Sequence, residues 1–184
     1  MGYIRHCERN LGDKMTLKKI SRIAVFSALC IALRLAFGLF PNIKPITAIF
    51  LSYTLFYGLG EGLLVMVMTM LITSFVLGFG PWVLGQFISY AAALCFWFFL
   101  YHPALRRIKA AGKKQLLESL GAGLVALIYG IMIDTYSAVL FGSPVWPMLI
   151  SGLYFNLAHC LSTVLFYPLI TTIFRRFTTY EENL

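Results

Sequence analysis

Apolar residues run through this chain in long stretches, broken by short polar or Pro/Gly-rich segments. Six stretches stand out: Ile20–Gly38, Pro45–Gly58, Gly62–Leu77, Trp82–Tyr101, Leu120–Phe141 and Trp146–Phe174. None alternates apolar and polar residues as a barrel strand does. Lipid cannot satisfy backbone N–H and C=O groups, so each stretch is predicted to be a helix. At about 20 residues per crossing, the second is short. The breaks Phe40-Pro41-Asn42, Gly78-Phe79-Gly80-Pro81 and Gly142-Ser143-Pro144 carry turn signals. Gly58-Leu59-Gly60-Glu61-Gly62 allows only a tight hairpin, with Glu61 expected in water. The pattern predicts an all-α membrane protein, a compact bundle of six transmembrane helices over residues 20–177. A basic segment, 1–19, precedes it and a short tail, 178–184, follows.

Composition agrees. The 184 residues are 60% hydrophobic and 12% charged, against roughly 45–50% and 25% in an ordinary soluble domain. Mean hydropathy is +0.83. A soluble globular or disordered chain is excluded, and no room is left for a second, water-soluble domain.

The net charge of +8 comes from grouped residues. Arg5, Arg9, Lys14, Lys18, Lys19 and Arg22 precede or open the first helix. Arg106, Arg107, Lys109, Lys113 and Lys114 lie between the fourth and fifth. Arg175 and Arg176 follow the sixth. Only Arg34 and Lys44 of the 15 basic residues fall elsewhere. With six spans, all three blocks share one face, which the positive-inside rule makes cytoplasmic, with both termini. Five or seven spans would scatter them. The charge therefore reads as membrane orientation and not as nucleic-acid binding. The first apolar run is too long for a typical leader and carries Arg34, so it is read as a retained helix. Cys7, Cys30, Cys95 and Cys160 show no paired or metal-ligand spacing and read as small buried side chains.

The opposite face then consists of three compact loops: Phe40–Lys44, carrying Asn42 and Lys44; Gly78–Pro81; and Gly142–Pro147. Trp82 and Trp146 stand at their edges, as headgroup-level anchors or as lids over a pocket. Within the spans, ionisable and amide groups are expensive and point to function. At 1.5 Å per residue, Arg34, Gln86, Tyr90, Asp134, Asn156 and His159 all fall in the outer half. They outline a candidate solute pocket. Arg34 and Asp134 could equally form a structural ion pair, or Arg34 could snorkel outward, and His159 could simply bond a neighbouring helix.

Ala24, Ala28, Ala32 and Ala36 recur every four residues of the first helix and form one smooth stripe. It serves either packing inside the bundle or docking on another membrane protein. No GxxxxGK[ST] loop, HExxH or GxSxG motif occurs, and no paired carboxylates lie within the spans. No enzyme activity and no catalytic cofactor or metal are expected. Nor is there an obvious internal repeat. The chain reads as a membrane binding protein that lacks its own motor. A stand-alone carrier or channel using Asp134 and His159 is the competing class.

Six helices in this length, cytoplasmic termini and a basic start leading into Ala24-Val25-Phe26-Ser27-Ala28 resemble the substrate-binding S component of an energy-coupling factor (ECF) vitamin transporter. The resemblance runs from about Leu17 to Phe177. Its most specific elements are the AxxxA pattern and the stretch from Leu35 to Ile49, which contains FPNIKPIT. It implies high-affinity capture of a vitamin near the outer surface of a prokaryotic plasma membrane. It also implies assembly with a transmembrane coupling protein and two cytoplasmic ATPases, and delivery by toppling of the whole component. Ala24, Ala28 and, by extension, Ala32 would face the coupling protein. FPNIKPIT is most similar to the cobalamin-specific branch; pantothenate, folate and riboflavin are the other expected ligands.

Overall fold

The computed structural model describes residues 16–105, 108 and 110–182. Arg5, Cys7, Arg9, Lys14, Arg106, Arg107 and Lys109 lie outside the described residues. Every regular element among the described residues is helical: α1 (Leu17–Ala36), α2 (Ile46–Tyr57), α3 (Leu59–Leu77), α4 (Trp82–Cys95, continued below), α5 (Ala111–Leu140) and α6 (Val145–Glu182).

The boundaries follow local chemistry. Thr16 caps α1 by accepting from the Lys19 amide at 3.3 Å, so the helix starts three residues before the apolar run. Gly58, at φ 102°, both ends α2 and starts α3. That left-handed backbone excludes an ordinary side chain. At Gly62, a Cβ would fall on Thr54, so glycine lets the two helices nearly touch. α4 passes into a π-helical turn, Phe96–Tyr101, and ends in His102–Ala104. Pro103 explains this widening, since it offers no N–H and its ring crowds the carbonyl four residues earlier. α5 begins nine residues before its apolar run, because Lys114 and Glu118 pair one turn apart at 3.8 Å.

Among the described residues, five helices are long and apolar enough to cross a membrane: Leu17–Leu39, Leu59–Leu77, Trp82–Ala104, Gly112–Leu140 and Val145–Thr178. The second predicted span is not among them. α2 has 12 residues, a length of about 18 Å against a hydrocarbon core of about 30 Å. It is instead the axis of the bundle. Every residue from Ile46 to Thr54 is buried, and α2 touches each of the other five helices. A helix apolar on all sides needs such a sheath.

α5 and α6 form the closest long pair. Gly123 lies against Val164 and Cys160, Gly130 against Asn156, and Gly152 against Asp134. Any Cβ there would collide, so these glycines set the approach of the two helices. The outer side of α6 presents Ile150, Leu153, Leu157, Leu161, Leu165, Leu169, Ile173 and Phe177 in an exposed row. In water this would be a large bare apolar patch, whereas in a bilayer it faces lipid.

Apart from Arg34 and Lys44, the described basic residues gather at one end. Arg22 meets Glu61 at 2.8 Å and Lys19 meets it at 3.9 Å. Lys114, Arg175 and His102 surround Glu118 at 3.8, 3.8 and 3.6 Å. The start of α1, the α2–α3 junction, the end of α4, the start of α5 and the distal part of α6 therefore share this basic end. An aromatic cluster of Phe26, Tyr53, Tyr57 and Phe174 ties α1, α2 and α6 together there. Glu61 is not solvated as expected. It is 7% exposed and accepts from Arg22 and from the Tyr53 hydroxyl at 3.1 Å. Folding the hairpin against α1 brought the guanidinium to it, and the pairing offsets the cost of burying the carboxylate. Among the described cysteines, Cys30 is fully buried, while Cys95 and Cys160 are half-buried.

Candidate functional site

The other end of the bundle, the loop end, collects polar side chains from all six helices. At its centre, the Thr47 hydroxyl, in the first turn of α2, lies 2.9 Å from the Tyr90 hydroxyl and 2.8 Å from Nε2 of His159. Tyr90 stacks on Tyr129 of α5 with ring centroids 3.8 Å apart. Tyr129 in turn meets the His159 ring edge-on at 5.6 Å, and Phe50 closes on Tyr90 at 5.5 Å. His159 is 4% exposed, and its Nδ1 has no hydrogen-bond partner. His159 thus bonds a neighbouring helix through one nitrogen, while the other is buried without a partner.

Arg34 turns inward and does not snorkel. Its Nη1 donates to Thr73 Oγ1 at 2.8 Å and to the Met70 sulfur, and its Nη2 donates to Gln86 Oε1 at 3.4 Å. Thr73 is held in place by its own bond to the Thr69 carbonyl, 2.7 Å away. These partners belong to α3 and α4, so Arg34 fastens α1 to both.

The alternative of an Arg34–Asp134 ion pair is not realised. Asp134 accepts from Asn156 Nδ2 at 2.7 Å, where Gly130 and Gly152 make room for the two side chains. The sequence places both ions at similar depth but cannot show which helices adjoin. α5 lies against α6, and α1 against α3. Asp134 and His159 also have separate partners, Asn156 and Thr47, so no direct relay joins them.

The first loop is pinned. Asn42 adopts a left-handed backbone, φ 58°, which asparagine tolerates. Its amide donates to the Phe155 carbonyl at 3.2 Å. Two residues on, Lys44 is half-buried and within electrostatic reach of Arg34 and His159. Burial first, and the Arg34 charge second, push its ammonium below the usual lysine value. The second loop is held by Tyr136, whose hydroxyl donates to the Pro81 carbonyl at 3.0 Å. Trp82 folds over Gly80 at the same corner. Trp146 stands apart, 77% exposed on the outside of α6.

Of the residues singled out from sequence, Arg34, Lys44, Gln86, Tyr90 and His159 come together. Asp134 and Asn156 form a separate pair between α5 and α6 at the same end, while Asn42 and Trp82 shape the rim. Thr47, Tyr129, Thr73 and Met70 were not legible. A lone hydroxyl or thioether in an apolar helix gives no sign until its neighbours are known.

Ala24, Ala28 and Ala32 all lie on the exposed face of α1, so the stripe is not used for packing inside the bundle. No protein-family model, curated protein or solved structure matches the chain.

Proposed function

We propose that the chain is the substrate-binding S component of an ECF-type importer. It captures a vitamin at the outer face and delivers it by toppling against a coupling protein driven by two ATPases. The chain itself performs no catalysis. The observation that carries the reading is the polar cluster at the loop end, built from all six helices and covered by short, pinned loops. The basic end, opposite, is the cytoplasmic one under the positive-inside rule, which turns the cluster outward and puts both termini inside. The exposed alanine stripe supports docking, because small side chains allow a partner helix to approach closely. With Glu61 and Glu118 paired to cations, few uncompensated charges would enter lipid on toppling.

The ligand is a vitamin. The resemblance puts cobalamin first, with pantothenate, folate and riboflavin as alternatives. Arg34, Lys44, Gln86, Tyr90 and His159 form its floor and Asp134 with Asn156 a flank; Asn42 and Trp82 belong to the rim, and Trp146 stands outside it. Purification from native membranes tests this. Two ATPase subunits and a coupling protein are expected to co-purify, and a vitamin panel is expected to give one tight binder. Solute uptake by the chain alone, without ATPases, would instead establish a stand-alone carrier.

A further inference from the structure

Two cations of the loop-end cluster lack an acidic partner among the described residues. Arg34 donates only to the neutral groups of Thr73, Met70 and Gln86. Lys44 is half-buried, and neither a hydrogen bond nor an ion pair engages it among the described residues. The nearby carboxylate, Asp134, is bonded to Asn156 and meets neither cation. At the basic end the opposite holds, since both buried glutamates are ringed by cations. The loop end therefore keeps an excess of positive charge inside a poorly screened environment, where two like charges repel each other and call for an anion. A third group, the partnerless Nδ1 of buried His159, lies within the electrostatic reach of Lys44.

We infer that the site takes a solute bearing a carboxylate or phosphate, whose anionic oxygens are held by Arg34 and Lys44. The stacked Tyr90–Tyr129 pair offers the apolar body of the solute an aromatic wall, and His159 Nδ1 offers a further polar contact. A planar guanidinium beside a flexible ammonium suits an oxyanion group, which can take two donors from one and a point charge from the other. The inference rests on the vitamin-capture reading and reorders its ligands. Pantothenate and folate, which carry exposed carboxylates, move ahead of riboflavin, which has neither group, and of cobalamin, whose one anionic group is the phosphodiester of its nucleotide loop.

Thermal unfolding of the purified protein in a neutral detergent tests it. The probes are matched pairs that differ in the anionic group: pantothenate and panthenol, nicotinate and nicotinamide, pyridoxal phosphate and pyridoxal. The anionic member of at least one pair is expected to stabilise the protein saturably, with affinity at least tenfold above its neutral partner. Lys44→Gln, in a loop and outside the helix contacts, is expected to weaken that binding by about tenfold or more, the usual scale for losing a charge-assisted contact. Arg34→Gln is expected to do the same if it folds, and Lys44→Gln decides the matter if it does not. Equal stabilisation by neutral members, or none by any anionic member at millimolar concentration, would overturn the inference. Stabilisation by phosphatidylglycerol alone would also overturn it, by assigning the cations to a lipid headgroup. Co-purification of the ATPases is read separately, so failure of the anion site and failure of the transport reading are distinguishable.

Discussion

Thr47 Oγ1 lies 2.8 Å from Nε2 of His159, and through that bond the 12-residue α2 is fastened to the 38-residue α6. The same oxygen meets Tyr90. Thr47→Val removes the hydroxyl without changing the shape and strands two buried polar groups. Stability is expected to fall by about 1–3 kcal/mol, seen as a lower unfolding midpoint in detergent. Thr47→Ser is expected to restore it; a valine variant as stable as the parent would show that the bridge contributes nothing.

Glu61 is the counter-ion of Arg22 at the basic end, with donor distances down to 2.8 Å. Glu61→Gln removes the negative charge that the part-buried Arg22 guanidinium meets across this contact, and a loss of about 2–3 kcal/mol is expected. Denaturant or thermal titration of the two proteins measures it. A solvated Glu61 would give no change.

Asp134 and Asn156 act as a unit, whereas Arg34 and Asp134 do not. A double-mutant cycle with Asp134→Leu and Asn156→Leu is expected to show a coupling of about 0.5–3 kcal/mol. The corresponding cycle for Arg34 and Asp134 is expected to be additive. Coupling in the second cycle alone would restore the ion pair that the geometry rejects.

Ala28 sits in the middle of an exposed small-residue stripe. Ala28→Trp is expected to leave folding and ligand affinity unchanged and to abolish co-purification with a coupling protein. An intact complex would make the stripe a lipid-facing surface only.

Lys44 carries its charge in a half-buried loop next to Arg34, which disfavours the ammonium form. Below its folded-state value, both the folded and unfolded chains hold the proton and the penalty is complete. As pH rises from there toward the ordinary lysine value, the unfolded chain holds more protons and stability increases. Acetylation followed by mass spectrometry is expected to give Lys44 a titration midpoint below that of a free lysine side chain. A bound anion is expected to move the midpoint back up. A midpoint at the free value would remove Lys44 from the site.

The helices were legible because lipid forces long apolar runs, and the basic blocks gave their alternation. Boundaries were less so. Thr16 extends α1, and the Lys114–Glu118 pair extends α5, by short-range bonds that hydropathy does not register. Depth along the chain was also legible, and it placed Arg34, Tyr90, Asp134 and His159 at one end. Lateral neighbours were not, because any two helices of a bundle can be drawn adjacent until packing decides. Glu61 and the Arg34–Asp134 pair failed for that reason. The alanine stripe was visible in the sequence, but only its exposure shows that the bundle does not consume it.

α1 has 20 residues, about 30 Å of helix, and α2 has 12, about 18 Å. Tyr53, near its far end, reaches Glu61 at the basic end, so the missing height of about 12 Å is all on the loop side. The segment from Phe40 to Pro45 has to descend through that depth without helical bonds to satisfy its amides. Hydrocarbon would leave those groups stranded. Under the proposed function, a hydrated dimple at this loop would satisfy those groups, and a polar solute would approach the rim of the cluster without first shedding its water into lipid.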